Sequence, residues 1–131
     1  MAEGWARHLK SDVLTPYSAG TRPGLLDQRA VQVMSELGVD ISHARPKQVG
    51  ELLAIPFDYV ITVCDHAKET CPIFPGKTRI IHHGFDDPPF LTQSASSEEE
   101  ALAVYRRVRD EIRAFVSLLP GSLEHLLSSK F

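Results

Sequence analysis

The chain has 131 residues, 43% of them apolar and 24% charged, which fits one globular domain with a core of its own and excludes disorder or a coiled coil as the main state. Fourteen basic against 17 acidic residues leave a net charge of −3, which argues against a nucleic-acid partner. No apolar run approaches a membrane span, and Met1-Ala2-Glu3-Gly4-Trp5 does not read as a signal peptide, so no membrane is expected and the expected compartment is the cytoplasm. In that compartment two cysteines are more often redox, metal or buried thiols than a structural bridge.

Residues 1–119 read as one alternating α/β unit and residues 120–131 as a tail. Ala2 to Lys10 is predicted helical, with Trp5, Ala6 and Leu9 at helical spacing but no N-cap residue ahead of them. A strand is expected over Asp12–Ala19. A second helix is expected over Pro23–Leu37, with Leu25, Leu26, Ala30, Val33, Met34 and Leu37 on its apolar face and Gly38 ending it. Ile41-Ser42 reads as a short extended piece and Lys47–Leu53 as a short helix. Phe57–Val63 is β-branched and aromatic and reads as a buried parallel strand; Thr78–His82 is a shorter one. A long helix is expected over Ser97–Leu119, opened by a capping box of Ser96 or Ser97 with Glu99 or Glu100, and stopped by Pro120-Gly121. Strands separated by helices imply a three-layer, doubly wound parallel sheet, with ligands at the carboxyl ends of its strands. Cys64 follows one strand and Ser18-Ala19-Gly20-Thr21 follows another.

Four constellations could carry chemistry. Cys64 and Cys71 stand seven positions apart, two turns if the segment between them is helical, so a disulfide requires that segment to bend. That suits a redox switch, with His66 and Lys68 able to lower a thiol pKa; two buried thiols fit equally well. Cys64, Cys71, His82 and His83 have the residue types of a zinc site but not the spacing, and adjacent histidines on a strand face opposite ways. Gly84-Phe85-Asp86-Asp87-Pro88 offers two adjacent carboxylates, one of them a candidate general acid, although a solvated turn explains the segment as simply. Tyr17–Thr21 could approach an oxyanion, or could be a tight turn with Gly20 at positive φ. Arg106, Arg107, Arg109 and Arg113 read as a solvated helix face with ion pairs.

Taken in order, these segments resemble the thioredoxin-coupled arsenate reductases, which share the fold of the low-molecular-weight protein tyrosine phosphatases. The resemblance is carried by Met1-Ala2-Glu3-Gly4-Trp5-Ala6-Arg7, Tyr17-Ser18-Ala19-Gly20-Thr21, Phe57–Asp65 with Cys71-Pro72-Ile73-Phe74-Pro75, Gly84-Phe85-Asp86-Asp87-Pro88 and Tyr105–Ile112. It implies a cysteine relay. A first cysteine attacks arsenate, Cys64 attacks the first and releases arsenite, and Cys71 attacks Cys64. The resulting Cys64–Cys71 disulfide is presented to thioredoxin. It implies Asp87 as the general acid, Glu3 and Ser18 as residues that order the catalytic loop, and no cofactor. Some members bind potassium beside that loop; Lys47 stands where they carry an acid, so its ammonium replaces the cation.

The family's first strand and Cys-(x)5-Arg loop precede the Met-Ala-Glu-Gly-Trp stretch, and the sequence given starts at that Met. The resemblance therefore implies a sheet with its first strand missing, with lowered stability or self-association through the open sheet, and a chain inactive on arsenate by itself. Two alternatives stand beside it: a non-catalytic thiol redox or interaction module using Cys64 and Cys71, and a low-molecular-weight tyrosine phosphatase.

Overall fold

A computed structural model describes residues 1–20, 24–63, 74 and 77–123. Cys64 and Cys71 lie outside the described residues, as do His66 and Lys68. The elements run α1 (Ala2–Lys10), α2 (Gln28–Ser35), a 3-10 turn (Val49–Leu52), β1 (Tyr59–Thr62), β2 (Arg79–His82), α3 (Pro88–Leu91) and α4 (Glu98–Ser117).

β1 and β2 pair in parallel, Tyr59 opposite Arg79 through Thr62 opposite His82. The pairing continues past the strand ends: the His83 amide donates to the Thr62 carbonyl (2.9 Å) and the Phe85 amide to the Val63 carbonyl (2.8 Å). A separate parallel bridge joins Gly20 to Gln48. A parallel strand pair set among helices is the α/β arrangement expected from the sequence.

The long helix α4 organises the core. Leu102, Tyr105, Val108, Ile112 and Val116 recur at helical period and are buried, clustering with Trp5 and Ala6 of α1, Val33 and Met34 of α2, and Ile81 of β2. Trp5 is 1% exposed, its indole N–H donates to the Arg109 carbonyl (3.1 Å), and the Arg113 guanidinium lies 5.2 Å above its ring. Gly4 lets α1 approach closely. A Cβ there would lie 2.7 Å from Ile41 Cγ2 and 3.2 Å from Met34 Cε.

The start of α4 is capped much as expected. Ser97 Oγ accepts the Glu100 amide (3.1 Å), while the returning Glu100 carboxylate takes the Ser96 amide (3.1 Å) rather than that of Ser97. The arginines of α4 are not uniformly solvated. Arg109 is buried, and its guanidinium donates to the Val33 carbonyl, Glu36 and Asp110. Arg106 pairs with Glu36 and Glu99, and Arg29 of α2 pairs with Glu98. Tyr105 Oη donates to Asp27 Oδ2 (2.6 Å), the residue whose other oxygen caps α2 through the Arg29 amide.

Four sequence expectations are corrected. Asp12–Ala19 is not a strand. The Lys10 carbonyl accepts from Val13 and Leu14 in a continuing turn, Arg7 takes the Pro16 carbonyl, and only Gly20 reaches a neighbouring strand-like segment. The second helix starts at Gln28 because Asp27 caps it, which leaves Leu25 95% exposed instead of on the apolar face. Ile41-Ser42 enters a turn, with the Asp40 carboxylate accepting the Ser42 amide. The Lys47–Leu53 helix is one 3-10 turn held by a Gln48–Glu51 capping box.

The interhelical ion pairs make stability acid-sensitive. Hydrogen bonding and charge from Arg106, then Arg109, hold the Glu36 carboxyl below the ordinary 4.5, and Arg29 does the same for Glu98. A carboxyl depressed in the folded state contributes stability that is present above 4.5 and lost as the pH falls through its folded value. The melting temperature is therefore expected to drop below about pH 4.5, and less steeply in Glu36→Gln. Equal slopes in the two proteins would show that these pairs are too well solvated to matter.

Candidate active site

Glu3 lies in the first turn of α1, and both its oxygens are engaged. Oε1 accepts the Ser18 hydroxyl (3.0 Å) and Oε2 faces Arg7 Nε (3.4 Å), four residues on along the helix. Arg7 in turn donates to the Pro16 carbonyl (2.9 Å), so one face of α1 fixes the segment from Pro16 to Ser18. The next residues join a second segment: the Gly20 amide donates to the Lys47 carbonyl (2.7 Å) and the Val49 amide to the Gly20 carbonyl (3.1 Å). Gly20 thus serves as a bridge. Among the described residues the left-handed glycine is Gly38, just past α2, at φ 79°.

This bridge puts Ser18 and Lys47 on one wall. Ser18, Gly20, Arg45, Lys47, Gln48 and Glu51 line an open depression of about 470 Å3. Lys47 Nζ donates to the Arg45 carbonyl (3.2 Å), while Arg45 itself pairs with Glu51. The Glu51 carboxyl is held low by the Gln48 amide and then by Arg45, so it remains ionised and occupied. Three residues singled out from sequence, Glu3, Ser18 and Lys47, are therefore neighbours through a hydrogen bond and a shared wall.

The two adjacent carboxylates differ. Arg107 of α4 binds Asp86 (Nη2–Oδ2 2.9 Å) and also Glu111 (Nη1–Oε1 2.9 Å). Asp87 is exposed and occupies the N-cap position of α3, yet its side chain makes no capping bond. Among the described residues no hydrogen bond or ion pair engages its carboxylate. The loop leaves β2 and is joined to Val63, the residue before Cys64, by the Phe85 amide. Asp87 and the entry to the cysteine segment thus both follow the carboxyl ends of paired strands, the usual ligand position in parallel α/β sheets. Asp87 is not part of the depression lined by Ser18 and Lys47.

The histidines of the zinc alternative part company. His82 Nδ1 is 2.8 Å from Thr62 Oγ1, and the His83 ring stacks on Phe115 (centroids 4.2 Å apart, planes 8° apart). Sequence reasoning missed α3, and it missed the hold of Arg107 and Phe115 on the loop. Arg107 and Asp86 are 21 positions apart on different elements, which leaves no local signature.

The profile of the low molecular weight phosphotyrosine protein phosphatases matches residues 1–127. The chain belongs to that family. The arsenate reductase of Halalkalibacterium halodurans is 40% identical over 112 residues, covering 86% of this chain and 78% of the relative. That of Bacillus subtilis is 39% identical over the same lengths and shares. An arsenate reductase solved in its reduced state superposes with a TM-score of 0.67 at 25% identity, over 93% of this chain and 86% of the other. One solved in its oxidised state gives a TM-score of 0.71 at 24% identity, over 98% and 86%, and speaks for the fold. The phosphatase-type α/β fold is thereby shown, and the arsenate reductases are the relatives it shares that fold with. No helix among the described residues is long and apolar enough to cross a membrane.

Proposed function

We propose that this protein reduces arsenate to arsenite by a thiol relay that ends in a Cys64–Cys71 disulfide, which cytoplasmic thioredoxin reduces. Kinship with arsenate reductases carries this reading, and three features support it: the Glu3–Ser18 bond, Lys47 on the wall beside it, and an Asp87 carboxylate that no hydrogen bond or ion pair engages among the described residues.

A first thiolate displaces an oxygen from arsenate, forming a sulfur–arsenic bond, and Asp87 gives that oxygen the proton with which it leaves as water. Cys64 thiolate attacks the first sulfur. The sulfur–arsenic electron pair goes to arsenic, which departs as arsenite. Cys71 thiolate then attacks the Cys64 sulfur, regenerating the first thiol and closing the Cys64–Cys71 disulfide. Thioredoxin supplies the two electrons that reopen it. Glu3 holds Ser18 in place as the support for the loop carrying the first thiol, and Lys47 contributes a fixed positive charge at that support.

In this relay Cys64 and Cys71 act second and third. Expressed from its native locus, the protein is expected to show arsenate-dependent NADPH oxidation through thioredoxin and its reductase, and to lose it in Cys64→Ser and Cys71→Ser. Unchanged turnover in both native-locus variants would remove the relay altogether.

A further inference from the structure

The loop carrying Asp87 is fastened at three points, and two of them lie on α4. At its start the Phe85 amide is bonded to the Val63 carbonyl (2.8 Å). His83 and Phe85 then pack around one ring of α4. His83 stacks on Phe115, Phe85 meets Phe115 edge-on (5.7 Å, 71°), and His83 and Phe85 meet edge-on as well (4.9 Å, 67°). Two turns earlier on the same helix Arg107 grips Asp86 (2.9 Å), braced from behind by Glu111 (2.9 Å). Asp87 comes next, with nothing among the described residues holding its own carboxylate.

A carboxylate that must hand a proton to a departing oxygen has to sit within hydrogen-bond reach of it, yet stay free of bonds of its own. Both conditions are met if the adjoining residues, not the acid itself, are tied down. We propose that α4 sets the position of the Asp87 carboxylate, with Phe115 and Arg107 as positioning residues that act through His83, Phe85 and Asp86. This deepens the reading of Asp87 as the general acid and rests on it for its catalytic consequence. The geometric part stands independently.

The rings and the ion pair contribute differently. The ring cluster is half-buried and has a defined geometry, so it fixes the backbone of residues 83–85. The ion pair is solvated, with side chains 47% and 58% exposed, and adds little to global stability. Its effect is one of direction: it holds Asp86 against α4 and so restricts where the adjoining Asp87 can lie. A small displacement of a reacting group costs far more in rate than in stability.

The test has two readouts. In the 131-residue chain, Phe115→Leu is expected to raise amide exchange at Phe85 about tenfold while the Val108 amide, buried in the middle of α4, keeps its protection. In the native-locus protein, Arg107→Ala is expected to lower kcat for arsenate about three- to tenfold with KM unchanged, and Arg107→Lys to restore most of it. Unchanged exchange at Phe85 in Phe115→Leu would overturn the role of the ring. Unchanged kcat in Arg107→Ala, in the same assay where Asp87→Asn collapses it, would overturn the role of the ion pair. Unchanged kcat in Asp87→Asn would instead remove the general-acid reading, leaving the exchange result to judge the geometry.

Discussion

Trp5→Ala is expected to be the most damaging single change to stability, about 3–5 kcal/mol for an aromatic-to-alanine truncation in a core. Trp5 is 1% exposed and sits where α1 crosses α4, so its removal leaves a cavity that neither helix can close without disturbing the other. It also leaves the indole's partner, the Arg109 carbonyl, with one acceptor position unfilled. Domains of this size have a total stability of about 5–15 kcal/mol, so a large fraction is at stake. Urea denaturation should show the midpoint falling with the slope unchanged. Trp5→Phe keeps most of the volume and should lose much less. A loss below about 1 kcal/mol in Trp5→Ala would mean that α1 is not part of the cooperative core.

Asp87→Asn is expected to lower arsenate turnover by about 10²–10⁴-fold, the usual contribution of a positioned general acid. Asp86→Asn is expected to lower it only about as much as Arg107→Ala, three- to tenfold, since it cuts the same ion pair from the other side. The two carboxylates are neighbours in sequence and share local composition, so this contrast is a demanding one. It follows from one observation: Asp86 is engaged by Arg107, and the Asp87 carboxylate has no bond at all among the described residues. Equal losses in the two variants, or a larger loss in Asp86→Asn, would reverse the assignment. Neither substitution should move the melting temperature by more than a few degrees, because both residues are exposed.

Periodicity in the sequence located what burial enforces. The first helix, both paired strands and the long last helix came within a residue or two of their ends, because the helices repeat their apolar residues at helical spacing and the strands are short runs of β-branched residues. The failures occur where a single side chain overrides the pattern. Asp27 caps α2 and cuts off the apolar residues ahead of it, so Leu25 fits the helical spacing yet lies outside the helix. Pro16 cannot donate to a ladder, and its carbonyl is taken by Arg7, so a β-rich stretch becomes a turn. Arg109 looks like any surface arginine of α4 until the bend of the chain brings the Val33 carbonyl and Glu36 against it, 76 and 73 positions away.

The site was legible in a different way. Glu3 and Lys47 are named only by family resemblance, whereas Ser18 and Asp87 lie in segments that composition already marks and the resemblance singles them out within those. Their arrangement depends on contacts between elements: Glu3 with Ser18 across 15 positions, and Gly20 with Lys47 across a backbone bridge. The grip of α4 on the Asp87 loop left no trace in the sequence, because His83, Phe85 and Phe115 each look like ordinary aromatic filling until they stack.

Cys64 and Cys71 are expected to form a thioredoxin-reducible pair. Treating the chain with a mild thiol oxidant, alkylating it and mapping the cysteines by mass spectrometry, then adding thioredoxin, its reductase and NADPH, checks this directly. One internal Cys64–Cys71 disulfide is expected, with about one NADPH oxidised per chain as two electrons reopen it. Both thiols still free after oxidation, or a disulfide that thioredoxin leaves intact, would contradict that expectation.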